Sequence, residues 1–191
     1  MYPIILGSVL GMAIIIYKLY ELLRIRIDIE KFVTRLFDSV KSGDHDKAIE
    51  LCKINDRHPL ARLCQAGIEK RSLTTHELEK LLERMGNREV KDLERYIGGL
   101  ISIVGVEPLL GFLGTITGLI KAFRSWEVMG ANVTVSSLAG GIYEAMITTA
   151  AGLSIAIPYY LICNFIISRV KYISYELSEY SMQLIEIMNN K

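Results

Sequence analysis

The sequence of 191 residues lacks the motifs of nucleotide-driven and hydrolytic enzymes. It has no GxxxxGK[ST] phosphate loop, no HExxH zinc motif and no GxSxG nucleophile turn. We therefore expect no catalytic residue, no cofactor and no enzymatic activity. If such a chain performs work, the energy has to come from an ion gradient.

Cysteine and histidine are also scarce, with three residues of each. They are Cys52, Cys64 and Cys163, and His45, His58 and His76. No two cysteines form a CxxC pair, and the histidines lie too far apart for the spacing of a metal site. We expect reduced thiols, histidines that are exposed or satisfied locally, and no metal.

Alternating strand patterns are absent, whereas long apolar runs are present. Hydrophobic residues make up 51% of the chain, the mean hydropathy is +0.31, and the apolar residues are segregated. Residues 1–20, 96–123 and 135–168 approach or exceed the roughly 20 apolar residues that cross a bilayer. The first run is short, but no basic residue precedes it and no small-x-small cleavage site follows it. These features predict an all-α membrane protein with three transmembrane helices, the first a retained anchor.

The net charge of +1 conceals a strong asymmetry. Residues 18–95 carry 17 of the 22 lysines and arginines, whereas residues 124–134 carry one. Because positive charge resists translocation, residues 21–95 and the C-terminal helix, 169–191, should be cytoplasmic. The N-terminus and the 124–134 connection should then be periplasmic.

The cytoplasmic region reads as a series of amphipathic helices with recognisable ends. Asp44 follows a Ser-Gly break and is suited to cap a helix, and Pro59 suits the first turn of the next. Thr74 and Glu77 have the spacing of a capping box. Gly86 is a weak point of that helix, but no strong breaker follows before the second span, so the helix is expected to run on into it. Together with the extension of the third span, these helices should form a cytoplasmic bundle.

Small residues line one face of the second span. Gly111, Gly114 and Gly118 permit close approach of another helix, and simple packing is the expected role of the glycines. Thr115 lies amid this face. Its hydroxyl is expected either to bond a backbone carbonyl or to line a hydrated path.

The third span contains Glu144, which is costly at membrane depth unless it is hydrated, paired or protonated. Glu144 and Thr148 share a face one turn apart, and Thr149 lies about 100° further round, with Gly152. Glu144 is therefore a candidate ion-pathway residue. In the alternative, it is protonated and only bonds a neighbouring helix.

Two prolines interrupt the backbone hydrogen bonding of the spans. Pro108 follows Glu107 near the inner end of the second span, where Glu107 is a candidate pore-mouth residue or a snorkelling acid. Pro158 should kink the third span and is grouped with the helix-packing residues.

The residues of the second and third spans resemble a known family. The runs PLLGFLGTITGLIKAF at 108–123 and GGIYEAMITTAAGLSIAIP at 140–158, followed by Asn164, resemble the MotA/TolQ/ExbB proton channel family. The arrangement of one anchor, a large cytoplasmic segment and two further spans is most similar to the ExbB and TolQ branch. Three spans argue against the flagellar MotA branch.

The resemblance implies a homo-pentamer whose pore holds the single spans of an ExbD- or TolR-like partner dimer. Ions would pass from the partner's aspartate along Thr115, Glu144 and Thr149, with Thr148 less certain. The complex would work in the bacterial inner membrane, among lipids and without nucleic acid. It would use the proton motive force to drive a TonB- or TolA-like transducer.

The sequence departs from the usual pattern of the family at Glu107 and Thr117, so the transported ion, H⁺ or Na⁺, stays open. The leading hypothesis is an ExbB-type stator subunit serving TonB-dependent transport across the outer membrane. A TolQ-like role in envelope integrity and a non-conducting membrane scaffold are the alternatives.

Overall fold

The computed structural model describes residues 2–129 and 135–189, and these residues form helices joined by short turns, with no strand among them. The helices are α1 (Tyr2–Arg24), α2 (Ile29–Ser42), α3 (His45–Ile54), α4 (Pro59–Glu69), α5 (Thr75–Glu94), α6 (Ile97–Met129) and α7 (Val135–Asn189). The all-α prediction is confirmed.

Three parts of the chain are long and apolar enough to cross a membrane. They lie in α1, in the segment that ends with α6, and in α7. The three predicted spans are therefore confirmed in number and order. Helix α6 continues to Met129, six residues past the expected end of the second span, and residues 130–134 of the predicted connection lie outside the described residues.

The chain divides into two compact units. One comprises the chain up to Tyr17 with Tyr96–Phe165, and the other comprises Lys18–Arg95 with the chain from Ile166 onward. We call the first the membrane unit, because it holds the apolar segments, and the second the bundle unit.

The helices of the bundle unit begin where capping chemistry predicts. The Asp44 side chain accepts a hydrogen bond from the Lys47 amide, and Pro59 occupies the first turn of α4. Thr74 and Glu77 form both hydrogen bonds of a capping box. Gly43, with φ of 83°, ends α2 in the left-handed conformation that glycine adopts without strain. The predicted starts of α3, α4 and α5 are confirmed.

An apolar core holds the bundle unit together. Its almost fully buried side chains come from α2, α4, α5 and α7: Leu36, Leu60, Leu63, Ile68, Leu82, Leu177 and Leu184. The cysteines at positions 52 and 64 are free and buried. The C-terminal part of α7 thus packs as the expected bundle helix.

The prediction that α5 runs unbroken into the second span is wrong. Helix α5 ends at Glu94, α6 begins at Ile97, and Tyr96 between them has φ of 69°. A left-handed tyrosine is costly, so its surroundings must hold it. Within the membrane unit its ring packs edge-on against Tyr17, with centroids 5.8 Å apart. Within the bundle unit Lys18 donates to the Leu93 carbonyl at 2.8 Å, which satisfies the end of α5.

In the membrane unit, α1 packs antiparallel to α6 and also touches α7. A Cβ atom at Gly99 would lie 3.9 Å from Ile14, and one at Gly11 would lie 3.3 Å from Ile103. The Tyr159 hydroxyl of α7 donates to the Ser8 carbonyl of α1 at 2.7 Å. The packing of α1 therefore places Gly7 beside Glu107, in the first third of α6.

Candidate functional site

Helices α6 and α7 approach each other through residues with small side chains. A Cβ atom added at Gly118 would lie 2.6 Å from Ala145 Cβ and 2.9 Å from the Gly141 carbonyl oxygen. A Cβ atom at Gly111 would lie 3.1 Å from Thr149 Cα. Backbones this close have no room for larger side chains, which is how small residues serve contacts between membrane helices.

The same interface continues toward the beginning of α6. A Cβ atom at Gly152 would lie 2.8 Å from the Glu107 carbonyl oxygen. One at Gly114 would overlap the hydroxyl of Thr148. The glycines at positions 111, 114, 118 and 152 thus all lie in the contact between α6 and α7.

The three threonines occupy different environments. Thr149 is half-buried and donates across the interface to the Gly111 carbonyl at 2.8 Å. Thr148 is buried and donates within α7 to the Ala145 carbonyl at 2.7 Å. Thr115 is half-buried and donates to the Phe112 carbonyl at 2.6 Å. Each hydroxyl uses its proton in the protein and keeps lone pairs that can accept another.

Glu144 lies on the exposed surface of the membrane unit beside a lysine. Its Oε1 is 3.4 Å from Lys121 Nζ of α6, and the side chains of Lys121 and Glu144 are 66% and 63% exposed. In water such an exposed pair adds only about 0–1 kcal/mol to stability. In contact with hydrocarbon, both charges would be strongly unfavourable. The pair therefore needs water or a polar partner beside it.

Sequence reasoning did not single out Lys121. The signal was present, because a lysine inside a mostly apolar helix is as unusual as a glutamate. Its pairing with Glu144 depends on how α6 and α7 pack in three dimensions. The residue pattern of the third span alone does not show which residue of the second span lies beside Glu144.

The structure separates Glu144 from Thr148, which the helical pattern places on one face. Thr148 is 8% exposed and turned toward Gly114 of α6, whereas Glu144 is largely exposed. Thr149, rather than Thr148, makes the cross-helix hydrogen bond.

Pro158 lies on an exposed part of α7, and α7 continues as one helix past it.

Glu107 is buried inside the membrane unit, at 1% exposure. Its carboxylate lies so close to Gly7 of α1 that a Cβ atom there would overlap Oε1. Neither carboxylate oxygen has a hydrogen-bond partner among the described residues. We expected Glu107 at a pore mouth or snorkelling to the interface, and the structure places it between α1 and α6 of the same chain.

These groups supply oxygen atoms of the kind that bind protons or small cations. The described residues contain no group of three or more potential metal ligands. Hydroxyls and a carboxylate along two adjoining helices supply oxygen atoms that can bind a proton and release it.

Comparisons with known proteins agree with this chemistry. The sequence profile of the MotA/TolQ/ExbB proton channel family matches residues 55–179. The ExbB-like 3 biopolymer transport protein of Synechocystis sp. is 31% identical over 163 residues, covering 85% of this chain and 77% of that protein. The biopolymer transport protein ExbB of Neisseria meningitidis serogroup A is 25% identical over 202 residues, covering 98% and 90%.

The Tol-Pal system protein TolQ of Haemophilus influenzae is 33% identical over 106 residues, covering 55% of this chain and 46% of that protein. The family match covers more than half of the chain and includes α6 and most of α7. Its relatives carry both the ExbB and the TolQ names. This chain is a multi-pass membrane protein that belongs to the MotA/TolQ/ExbB proton channel family, in its ExbB and TolQ branch.

Proposed function

We propose that this chain is the proton-conducting stator subunit of an ExbB/ExbD-type motor in the bacterial inner membrane. The observation that carries the proposal is the exposed Glu144–Lys121 pair on the membrane unit. Two charged groups in apolar helices are unfavourable against lipid, so this surface is suited to a hydrated or protein-lined path.

The path we propose uses Glu144 with the hydroxyls of Thr115 and Thr149, and Thr148 as a buried neighbour. The cross-helix bond from Thr149 to the Gly111 carbonyl fixes this threonine beside α6. Along α7, Thr149 lies five residues from Glu144, which is roughly 7.5 Å of helix rise. Water or a partner's side chain would bridge that interval.

The assembly we propose is a homo-pentamer around the single spans of an ExbD- or TolR-like dimer. The partner's aspartate would exchange protons with Glu144 and the threonines. The wide apolar surface of the membrane unit supports this arrangement, because it offers area both for lipid and for neighbouring subunits. Large exposed side chains on it include Leu109, Phe112, Leu113, Met146 and Leu161.

In this proposal, the bundle unit is cytoplasmic and the N-terminus is periplasmic, as the distribution of basic residues favours. Proton flow would turn the pentamer about its partner and drive a TonB-like transducer for transport across the outer membrane. A TolQ-like role with a TolA-like transducer is the second candidate, supported by the 33% identity to TolQ. ExbB-named relatives cover more of the chain, which favours the first.

The test compares Glu144→Gln with Glu127→Gln in liposomes that contain the complex with its single-span partner. Glu127 is an exposed glutamate near the end of α6 and serves as the matched control. We expect Glu144→Gln to lower partner-dependent proton uptake about 100-fold or more, because a positioned proton-transfer group typically contributes about 10²–10⁴-fold. Glu127→Gln should conduct like wild type. Unchanged uptake in Glu144→Gln would leave Glu144 only the scaffold role.

A further inference from the structure

Glu107 is a second acid in the membrane unit, and the proposed path along Glu144 does not use it. It lies where three helices meet. Its side chain faces Gly7 of α1, its carbonyl oxygen faces Gly152 of α7, and its own helix is α6. The absence of a side chain at Gly7 creates the space that the carboxylate fills.

Among the described residues, the charged side chains of α1, α6 and α7 lie far along their helices from an ionised Glu107. Between Tyr96 and Lys121 it is the sole acidic or basic residue of the sequence, and Lys121 is 14 residues away, about 21 Å along α6. On α1 the first charged residue after Gly7 is Lys18, about 16 Å along the helix. On α7 no charged residue lies between Glu144 and Arg169.

Two polar groups beside Gly7 and Glu107 bond each other and not the carboxylate. The Tyr159 hydroxyl of α7 donates to the Ser8 carbonyl of α1, and neither carboxylate oxygen of Glu107 accepts a bond from a described residue. A metal cation needs several oxygen ligands. A single proton converts the carboxylate to a neutral group and removes the large cost of a buried, unpaired charge.

We propose that Glu107 is a proton-binding site inside each protomer, separate from the Glu144 path, and that it holds its proton while α1 is seated on α6. Releasing the proton would leave a charge between α1 and α6, so water would have to enter at Gly7. Proton release at Glu107 is thereby coupled to loosening of α1. This proposal needs neither the partner protein nor ion flow.

Infrared spectroscopy of the purified full-length chain in lipid nanodiscs tests the proposal directly, because protonated and ionised carboxyl groups absorb at different frequencies. At neutral pH we expect a protonated carboxyl band in wild type that Glu107→Gln lacks and Glu144→Gln keeps. Gly7→Ala should abolish the band by displacing the carboxyl into water. Gly105→Ala should keep it, because a Cβ atom there meets no atom within 4 Å.

Glu176 of the bundle unit is another buried acid and could also give a protonated carboxyl band. Glu176→Gln is therefore measured as a control. If Glu107→Gln does not fold, a band that survives in Glu176→Gln and is lost in Gly7→Ala supports the proposal. Absence of the band from wild type at neutral pH, or its persistence in folded Glu107→Gln, would overturn it. Because no flux is measured, either result is independent of the conducting role of Glu144.

Discussion

Single residues of the spans could be named from the sequence, but their partners could not. An acid and three hydroxyls in apolar helices stand out by composition. The rotation of α7 about its axis against α6 decides which threonine faces which group. Thr149 bonds the Gly111 carbonyl, whereas Thr148 is buried. The pairing of Lys121 with Glu144 has the same origin. The residue pattern of one helix gives the angles between its side chains around the helix axis. It does not show which residues of another helix they contact.

For His58, the sequence predicted the kind of environment but not its hydrogen-bond partner or its burial. We expected an exposed or locally satisfied histidine, and it is satisfied as the N-cap of α4, where Nδ1 accepts the Leu60 amide at 3.2 Å. Its side chain is almost fully buried. Burial, together with the charge of Arg62, lowers the pKa of His58 from 6.5 to about 4.

This pKa predicts acid sensitivity of the bundle unit. Since the folded pKa lies below the ordinary value, the contribution of neutral His58 is complete above pH 6.5 and is lost as pH falls toward about 4. The loss should reach about 2 kcal/mol near pH 5. Hydrogen exchange of the α4 amides in the detergent-purified chain measures it.

His58→Asn is the matched variant, because asparagine can cap the helix and does not titrate in this range. In His58→Asn, acid should reduce the protection of the α4 amides from hydrogen exchange less than it does in wild type. An equal acid response in wild type and His58→Asn would show that His58 is not the sensor.

At the scale of helices, turn and cap residues marked most boundaries correctly. Asp44, Pro59 and the Thr74–Glu77 box each begin a helix as predicted. The boundary at Tyr96 was missed, because Gly98 and Gly99 lie inside the first turn of α6 and the left-handed residue itself is a tyrosine. A left-handed tyrosine is held there by its contact with Tyr17, which is distant in the sequence. Tertiary contacts of this kind leave no local pattern.

The contact between α6 and α7 predicts a sharp difference between two glycines of one helix. Gly118→Ala should destabilise the protein by about 1–3 kcal/mol, because the new methyl group meets Ala145 and the backbone of Gly141. Gly105→Ala meets no neighbour and should be neutral or stabilising by up to about 1 kcal/mol. Thermal unfolding in detergent compares them, and equal melting temperatures would contradict the close packing.

At the scale of the whole molecule, long apolar runs were enough to predict three membrane helices. Their number follows from length and hydropathy alone. The division into a membrane unit and a bundle unit follows from where the runs stop. The number of subunits is a property of several chains and does not follow from the pattern of one.

The proposed pentamer is open to measurement by native mass spectrometry of the detergent-solubilised complex. Five copies of this chain should be released together with the single-span partner, since the proposed pore would form only between subunits. A stable monomer under conditions that preserve the fold would contradict a pore lined by Glu144.

Proton uptake into liposomes, driven by a potassium diffusion potential and followed with a pH-sensitive dye, tests the proposed function most directly. Three preparations are compared: the chain with its ExbD- or TolR-like partner, the chain alone, and empty liposomes. We predict uptake well above background only for the complex of both proteins. Uptake by the intact complex no faster than by empty liposomes would contradict the assignment of this chain as a proton-conducting stator subunit.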